Sequence, residues 1–230
     1  DLGGAALLHR VFPEFELHAS TQMSIHSLDG VKAAAAMGLE RAVLARELSL
    51  DQIRYISRNS PIETEIFVHG ALCFSHSGQC YMSSLIGRRS GNRGMCAQPC
   101  RMEYSLGSRM EDSHPLSLKD NCLIDRMQEI EEAGVACVQI EGRMKQTQYA
   151  AGVTKIYRKY LDLLEDRMKD DGTIDTDFEI SEADRRALME LGNRSGFTAG
   201  YLRGEKGKEM MSLQSPKHTS VQSENTCVAE

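Results

Sequence analysis

Apolar positions along the chain fall into two alternating rhythms, short runs rich in β-branched residues and longer stretches with apolar residues three or four apart. The first rhythm suits a strand covered on both faces, and the second suits a helix with one buried stripe. Helices are therefore expected over residues 1–12, 27–37, 50–58, 123–133, 146–169 and 181–191, and strands over 16–19, 41–45, 64–69 and 137–140. Local chemistry sharpens several ends. Gly38 and Gly134 stop two helices, Ser49 with Gln52 forms a capping box, and Ser181 with Asp184 opens the last helix. Residues 117–121 read as a loop, with Lys119 and Asp120 either joining a site or capping the helix at Leu123.

Strand followed by helix, repeated about four times, is the pattern of a parallel sheet with crossover helices. It amounts to roughly half of an eight-stranded barrel. The expected fold class is α/β, the C-terminal half of a TIM-like (β/α) barrel with a C-terminal extension. Half a barrel leaves an unpaired sheet edge, and the first residue is Asp rather than Met. The expectation is thus that an N-terminal barrel half of the same polypeptide is absent from this chain. Residues 1–169 would form the partial barrel, 170–180 a polar linker, and 181–230 a helix plus the start of a C-terminal domain. Strands of such a sheet present functional residues at their C-terminal ends, which here nominates His18, Arg46, His69 and Glu141.

Residues 70–101 break both rhythms. Long irregular segments in compact domains are usually functional, and this one carries Cys73, Cys80, Cys96 and Cys100, separated by six, fifteen and three residues. The other three of seven cysteines stand apart, Cys122 and Cys137 among apolar positions and Cys227 in a polar tail. Four clustered thiols in a reducing compartment point to a metal rather than to disulfides. Tetrahedral zinc and a cubane iron-sulfur cluster both accept four thiolates. Zinc sites favour two short cysteine pairs, and only Cys96 and Cys100 make one, which tilts the reading toward iron. From residue 66 to residue 102 there is no Asp or Glu, while Arg88, Arg89, Arg93 and Arg101 lie inside that window. Those cations suit an anionic thiolate cluster and equally an RNA phosphate.

A formal charge of −6 and a pI near 5.7 argue against a generally basic nucleic-acid binder, leaving only a local patch. No apolar run approaches the roughly 20 residues of a bilayer span, and the opening residues lack a signal-peptide pattern, so a cytoplasmic protein without a membrane partner is expected. Zinc-protease, serine-elbow, phosphate-loop and dinucleotide motifs are missing. His69, before Gly70 at a strand end, is a candidate proton donor or substrate contact. Glu141, Arg143 and Lys145 follow the strand 137–140 and suggest handling of an anion or substrate. Met110, Met127, Met144 and Met168 read as core filling.

The segment Glu65-Ile-Phe-Val-His-Gly-Ala-Leu-Cys73 and its continuation Ser77-Gly-Gln-Cys80-Tyr-Met-Ser-Ser84 resemble the signature of the collagenase-like peptidase family U32. The likeness runs on through Arg89-Ser-Gly-Asn-Arg-Gly94, Cys96-Ala-Gln-Pro-Cys100-Arg101, Lys119-Asp120 and Glu141-Gly-Arg-Met-Lys145. Earlier, Leu17-His-Ala-Ser-Thr-Gln-Met23 and Leu44-Ala-Arg-Glu-Leu48 look similar, and Asn193-Arg-Ser-Gly-Phe-Thr-Ala-Gly-Tyr201 with Ser215-Pro-Lys-His218 looks like the longer members, those of the ribosomal RNA cytidine hydroxylation type. The resemblance implies a barrel-like catalytic domain and a four-iron four-sulfur cluster on Cys73, Cys80, Cys96 and Cys100. It also implies oxygen insertion into RNA bases or a quinone precursor, with prephenate as oxygen-linked co-substrate in some members. The expected function is iron-sulfur-dependent hydroxylation of a ribosomal or transfer RNA pyrimidine, with Arg88, Arg89, Arg93, Arg101, His18 and Arg46 contacting the substrate. The alternatives are a collagenase-like peptidase and a noncatalytic, metal-stabilised interaction subunit.

Overall fold

The computed structural model describes residues 2–77, 79–105, 113–142, 145–167 and 179–213. The elements, in chain order, are α1 (Leu2–Val11), β1 (His18–Ala19), α2 (Leu28–Ala36), β2 (Arg41–Val43), α3 (Leu50–Asn59), β3 (Glu63–Gly70), α4 (Met82–Gly87), β4 (Asp120–Cys122), α5 (Met127–Glu132), β5 (Cys137–Ile140), α6 (Thr147–Glu165), α7 (Glu182–Leu191), β6 (Phe197–Thr198) and α8 (Gly200–Arg203).

Helix starts follow local chemistry. Ser27, Ser49 and Ser181 cap α2, α3 and α7, each accepting a backbone N–H from the first turn, and at Ser49 the Gln52 side chain completes the box. These caps satisfy N–H groups that have no partner within the helix.

Among the described residues the strands form one mixed sheet. β1, β2, β3 and β5 run parallel, with Arg41 opposite both His18 and Glu63, and Glu65 opposite Cys137. β4 then pairs antiparallel with the end of β3, His69 facing Cys122 and Gly70 facing Asn121, and β6 runs parallel to β4. The α/β, parallel-rich reading holds at that level. Residues 117–121, expected as a loop, contribute β4, because Leu123 donates to the Val68 carbonyl and Asn121 Nδ2 to that of Phe67. Asp120 is a strand residue there and caps no helix.

The core lies between the sheet and α2, α3, α5 and α6. Ala42, Leu44, Ile66 and Val68 from the strands meet Val31, Ile53, Met127, Val153 and Tyr157 from the helices. Each large apolar side chain so buried contributes about 1.5–3 kcal/mol. Met127 fills core as expected, while Met110, Met144 and Met168 lie outside the described residues. A smaller cluster, Leu72, Leu118 and Met210, fastens the chain after β6 to the base of the cysteine loop. No helix among the described residues is long and apolar enough to cross a membrane.

Candidate functional site

The C-terminal end of β3 is where the unusual chemistry gathers. His69 is 1% exposed, enclosed by the rings of Tyr149, Tyr157 and Phe197 at centroid distances of 6.0, 5.5 and 5.2 Å. Tyr157 Oη gives its one proton to the Val68 carbonyl at 3.0 Å and stands 3.3 Å from His69 Nδ1. The imidazole therefore carries its own proton on Nδ1 and donates to Tyr157. Nε2 is left with a lone pair, buried and without a hydrogen-bond partner among the described residues. Burial, and secondarily the charge of Lys145, hold His69 far below its ordinary range, at about 3. With the charged form so disfavoured, the bare Nε2 is placed to accept a hydrogen bond.

Gly70 follows with φ +103°, and a Cβ there would be driven into the Glu141 carbonyl oxygen and lie 3.1 Å from Tyr149 Oη. The absence of a side chain is what lets β3 and the turn after β5 approach. Asp120 is fully buried; among the described residues neither carboxylate oxygen is hydrogen-bonded, and Lys145 Nζ lies 3.8 Å away as an ionic partner. Lys145 also lies 4.8 Å over the Tyr149 ring. Its pKa is lowered by burial, against the pull of Asp120 and with the push of Arg194 and Arg101. Lys145, Arg101 and Arg194 thus share the surroundings of Asp120. Arg143 lies outside the described residues.

Arg101 ties this end to the cysteine loop, donating to the Leu72 carbonyl at 2.7 Å, to Ser117 Oγ at 3.0 Å and to the Leu118 carbonyl. Arg194 donates to Gln98 Oε1 at 3.1 Å, tying in the segment after α7. The loop is held internally as well: Ala97 donates to the Ser83 hydroxyl at 2.9 Å and Arg89 to the Met95 carbonyl at 3.0 Å. Arg88 and Gln98 sit in left-handed backbone at φ 54° and 56°, a conformation that costs non-glycine residues energy.

All four loop cysteines are free thiols. Burial pushes the Cys100 thiol up, Arg101 opposes, and Cys73, Cys96 and Cys80 each push further, so all three lie within electrostatic reach of it. Gly91 packs against two of them, since a Cβ there would sit 3.6 Å from Cys96 Cβ and 3.9 Å from the Cys80 carbonyl oxygen. The donor set has the chemistry of a thiolate metal site. As placed, the side chains do not close on one point, and among the described residues no group of three or more His, Cys, Asp or Glu is arranged to hold a metal ion. Cys122, by contrast, packs against the core and burial raises its thiol to about 11.

The remaining sequence candidates divide. Arg46 follows β2 at the same end of the sheet, its guanidinium 5.4 Å over Phe67 with Nε buried and unpartnered among the described residues. Glu141 lies at the turn after β5, where its carbonyl accepts from Tyr149 Oη at 3.2 Å. Arg88, Arg89 and Arg93 are exposed on the outer face of the loop. The placement of His18 is corrected: it begins the two-residue β1 opposite Arg41, the first residue of β2, and lies exposed at the other end of the sheet beside Glu16 and Glu40. Sequence reasoning passed over Tyr149, Tyr157 and Arg194. The signal for the tyrosines was their spacing of eight along α6, which with Val153 puts both hydroxyls on the buried face.

The model of peptidase family U32 matches residues 1–212. Over 167 residues the chain is 42% identical to a 23S ribosomal RNA 5-hydroxycytidine synthase of Escherichia coli (strain K12), covering 70% of this chain and 26% of the relative. It is 40% identical over 164 residues to the tRNA hydroxylation protein P1 of Bacillus subtilis (strain 168), covering 66% and 39%. It is 31% identical over 220 residues to a protein named collagenase in Porphyromonas gingivalis, covering 88% and 51%. The chain thus spans about a quarter to a half of the length of these relatives. No solved structure matches it. With the family's model spanning nearly the whole described fold, the chain belongs to peptidase family U32.

Proposed function

We propose that this chain is part of an RNA-modifying enzyme that hydroxylates a pyrimidine of ribosomal or transfer RNA, with an iron-sulfur cluster on Cys73, Cys80, Cys96 and Cys100. The observation that carries the reading is the loop itself: four free thiols, three of them within electrostatic reach of Cys100, flanked by arginines, at the strand end that also holds His69, Asp120 and Lys145. Ribosomal and transfer RNA hydroxylation relatives align across that segment of the chain and give the reading its substrate.

A four-iron four-sulfur cluster, when bound, supplies one-electron redox chemistry. The chain's own residues do the rest. Arg101, Lys145 and Arg194, gathered around Asp120, would hold a small anionic co-substrate such as prephenate. Neutral His69, with its bare Nε2, would accept a hydrogen bond from a bound hydroxyl or amide rather than a proton. Arg88, Arg89 and Arg93 would meet RNA phosphates from the exposed face of the loop. The setting we propose is the cytoplasm, where such thiols stay reduced.

The test is mass spectrometry of nucleosides from ribosomal and transfer RNA of a strain lacking the gene. One hydroxylated pyrimidine should disappear, return with the wild-type gene and stay absent with Cys80→Ala. An unchanged nucleoside profile would overturn the reading. Gelatin cleavage that survives removal of contaminating proteases and vanishes with Cys80→Ala would favour the collagenase alternative instead.

A further inference from the structure

A cavity of about 560 Å³, lined in part by Leu118, opens beside the cysteine loop, and the roles discussed so far leave it unassigned. Its volume falls in the range of roughly 300–1,000 Å³ typical of small-ligand sites. Phe74, the residue after Cys73, and Tyr201 from α8 contribute aromatic rings, Leu118 and Met210 contribute buried apolar surface, and Glu47, Lys206 and Lys208 contribute charge. The Tyr201 hydroxyl feels the charges of Glu47 and Cys73, which puts the cavity within reach of the loop's thiols. Glu47 is anchored: the hydroxyl of buried Ser77 donates to its Oε2 at 3.0 Å, and Ser77 Oγ in turn accepts from the Arg46 backbone N–H at 3.3 Å.

Three chemistries therefore meet in one opening. Aromatic faces take up the flat face of a base, worth about 1–3 kcal/mol per base when such a ring is removed. A carboxylate accepts from the amino or ring N–H donors on a base's edge. Lysines at the mouth suit the phosphates on either side. An enzyme acting on a base must take it out of its stack and into such a pocket.

We propose that this cavity receives a single unstacked base of the RNA, held against Phe74 and Tyr201, with Glu47 accepting from its edge and Lys206 and Lys208 on the adjoining phosphates. The proposal rests on the RNA-hydroxylation reading above and adds to it the place where the base sits. It assigns the exposed arginines of the loop to the backbone alone, and it makes Phe74, Tyr201 and Glu47 the residues that choose the base.

The experiment is photo-cross-linking of the purified full chain to single-stranded RNA in which 4-thiouridine replaces uridine, read by mass spectrometry of the cross-linked peptides. Cross-links should fall on Phe74 or Tyr201. Phe74→Ala and Tyr201→Ala should each weaken RNA binding about tenfold with an unchanged far-ultraviolet circular dichroism spectrum, and the double variant Lys206→Glu with Lys208→Glu should flatten the salt dependence of binding. Cross-links confined to residues 88–101, with affinity indifferent to Phe74→Ala and Tyr201→Ala, would overturn the cavity assignment and leave the RNA reading standing. No RNA binding even at low salt would overturn both. Displacement from Phe74 and Tyr201 by a collagen-derived peptide but not by RNA would also overturn the assignment.

Discussion

His69 shows how one side chain can be legible in kind while its surroundings are not. A histidine before Gly70 at a strand end is a fair site candidate from sequence, but its ionisation depends on partners far along the chain, the tyrosines at 149 and 157 and Lys145. Its pKa of about 3 against the ordinary 6.5 makes a prediction with a definite sign. Between those values the unfolded chain binds a proton that the folded chain refuses, so stability is steady above pH 6.5 and falls as pH drops toward 3. The loss should be on the order of a few kcal/mol. His69→Phe should flatten that limb in denaturant midpoints measured across pH, and an identical pH profile would contradict the burial argument. Gly70 is the neighbouring test. Gly70→Ala places a Cβ against the Glu141 carbonyl in backbone that already favours glycine, and should lower stability by about 2 kcal/mol or more.

Among the elements, those with local signatures were readable. α3 is expected over 50–58 and runs Leu50–Asn59, because Ser49 and Gln52 satisfy its first N–H groups wherever the helix is packed. Ser49→Ala should therefore cost about 1 kcal/mol in thermal or chemical unfolding. β5 is likewise expected where it is found, at Cys137–Ile140. β4 and β6 were not readable, since such short strands have little periodicity of their own; β4 forms on the open hydrogen-bonding groups at the end of β3, and β6 on those of β4. The cysteine loop stands between these cases: its ligand types were evident, while its shape depends on Arg101 reaching three separate acceptors. Arg101→Met should release the loop. The expected outcome is a small change in the unfolding midpoint together with faster amide hydrogen exchange across residues 72–101; unaltered exchange would show that the loop holds its shape without that guanidinium.

In the molecule as a whole, the end of one parallel-rich sheet collects an aromatic box around His69, Asp120 among Lys145, Arg101 and Arg194, and the four-thiol loop. Strand order, the antiparallel turn of β4 and the docking of residues 197–213 bring these together, and none of them can be read from hydrophobic rhythm, because they depend on pairing between distant segments. The account stands on the thiols taking up iron. Protein purified without oxygen and assayed for iron, acid-labile sulfide and zinc tests this most directly. About four iron and four sulfide per chain, lost in Cys100→Ala while the fold is retained, is the predicted result; a colourless protein holding zinc, or no metal at all, would contradict it.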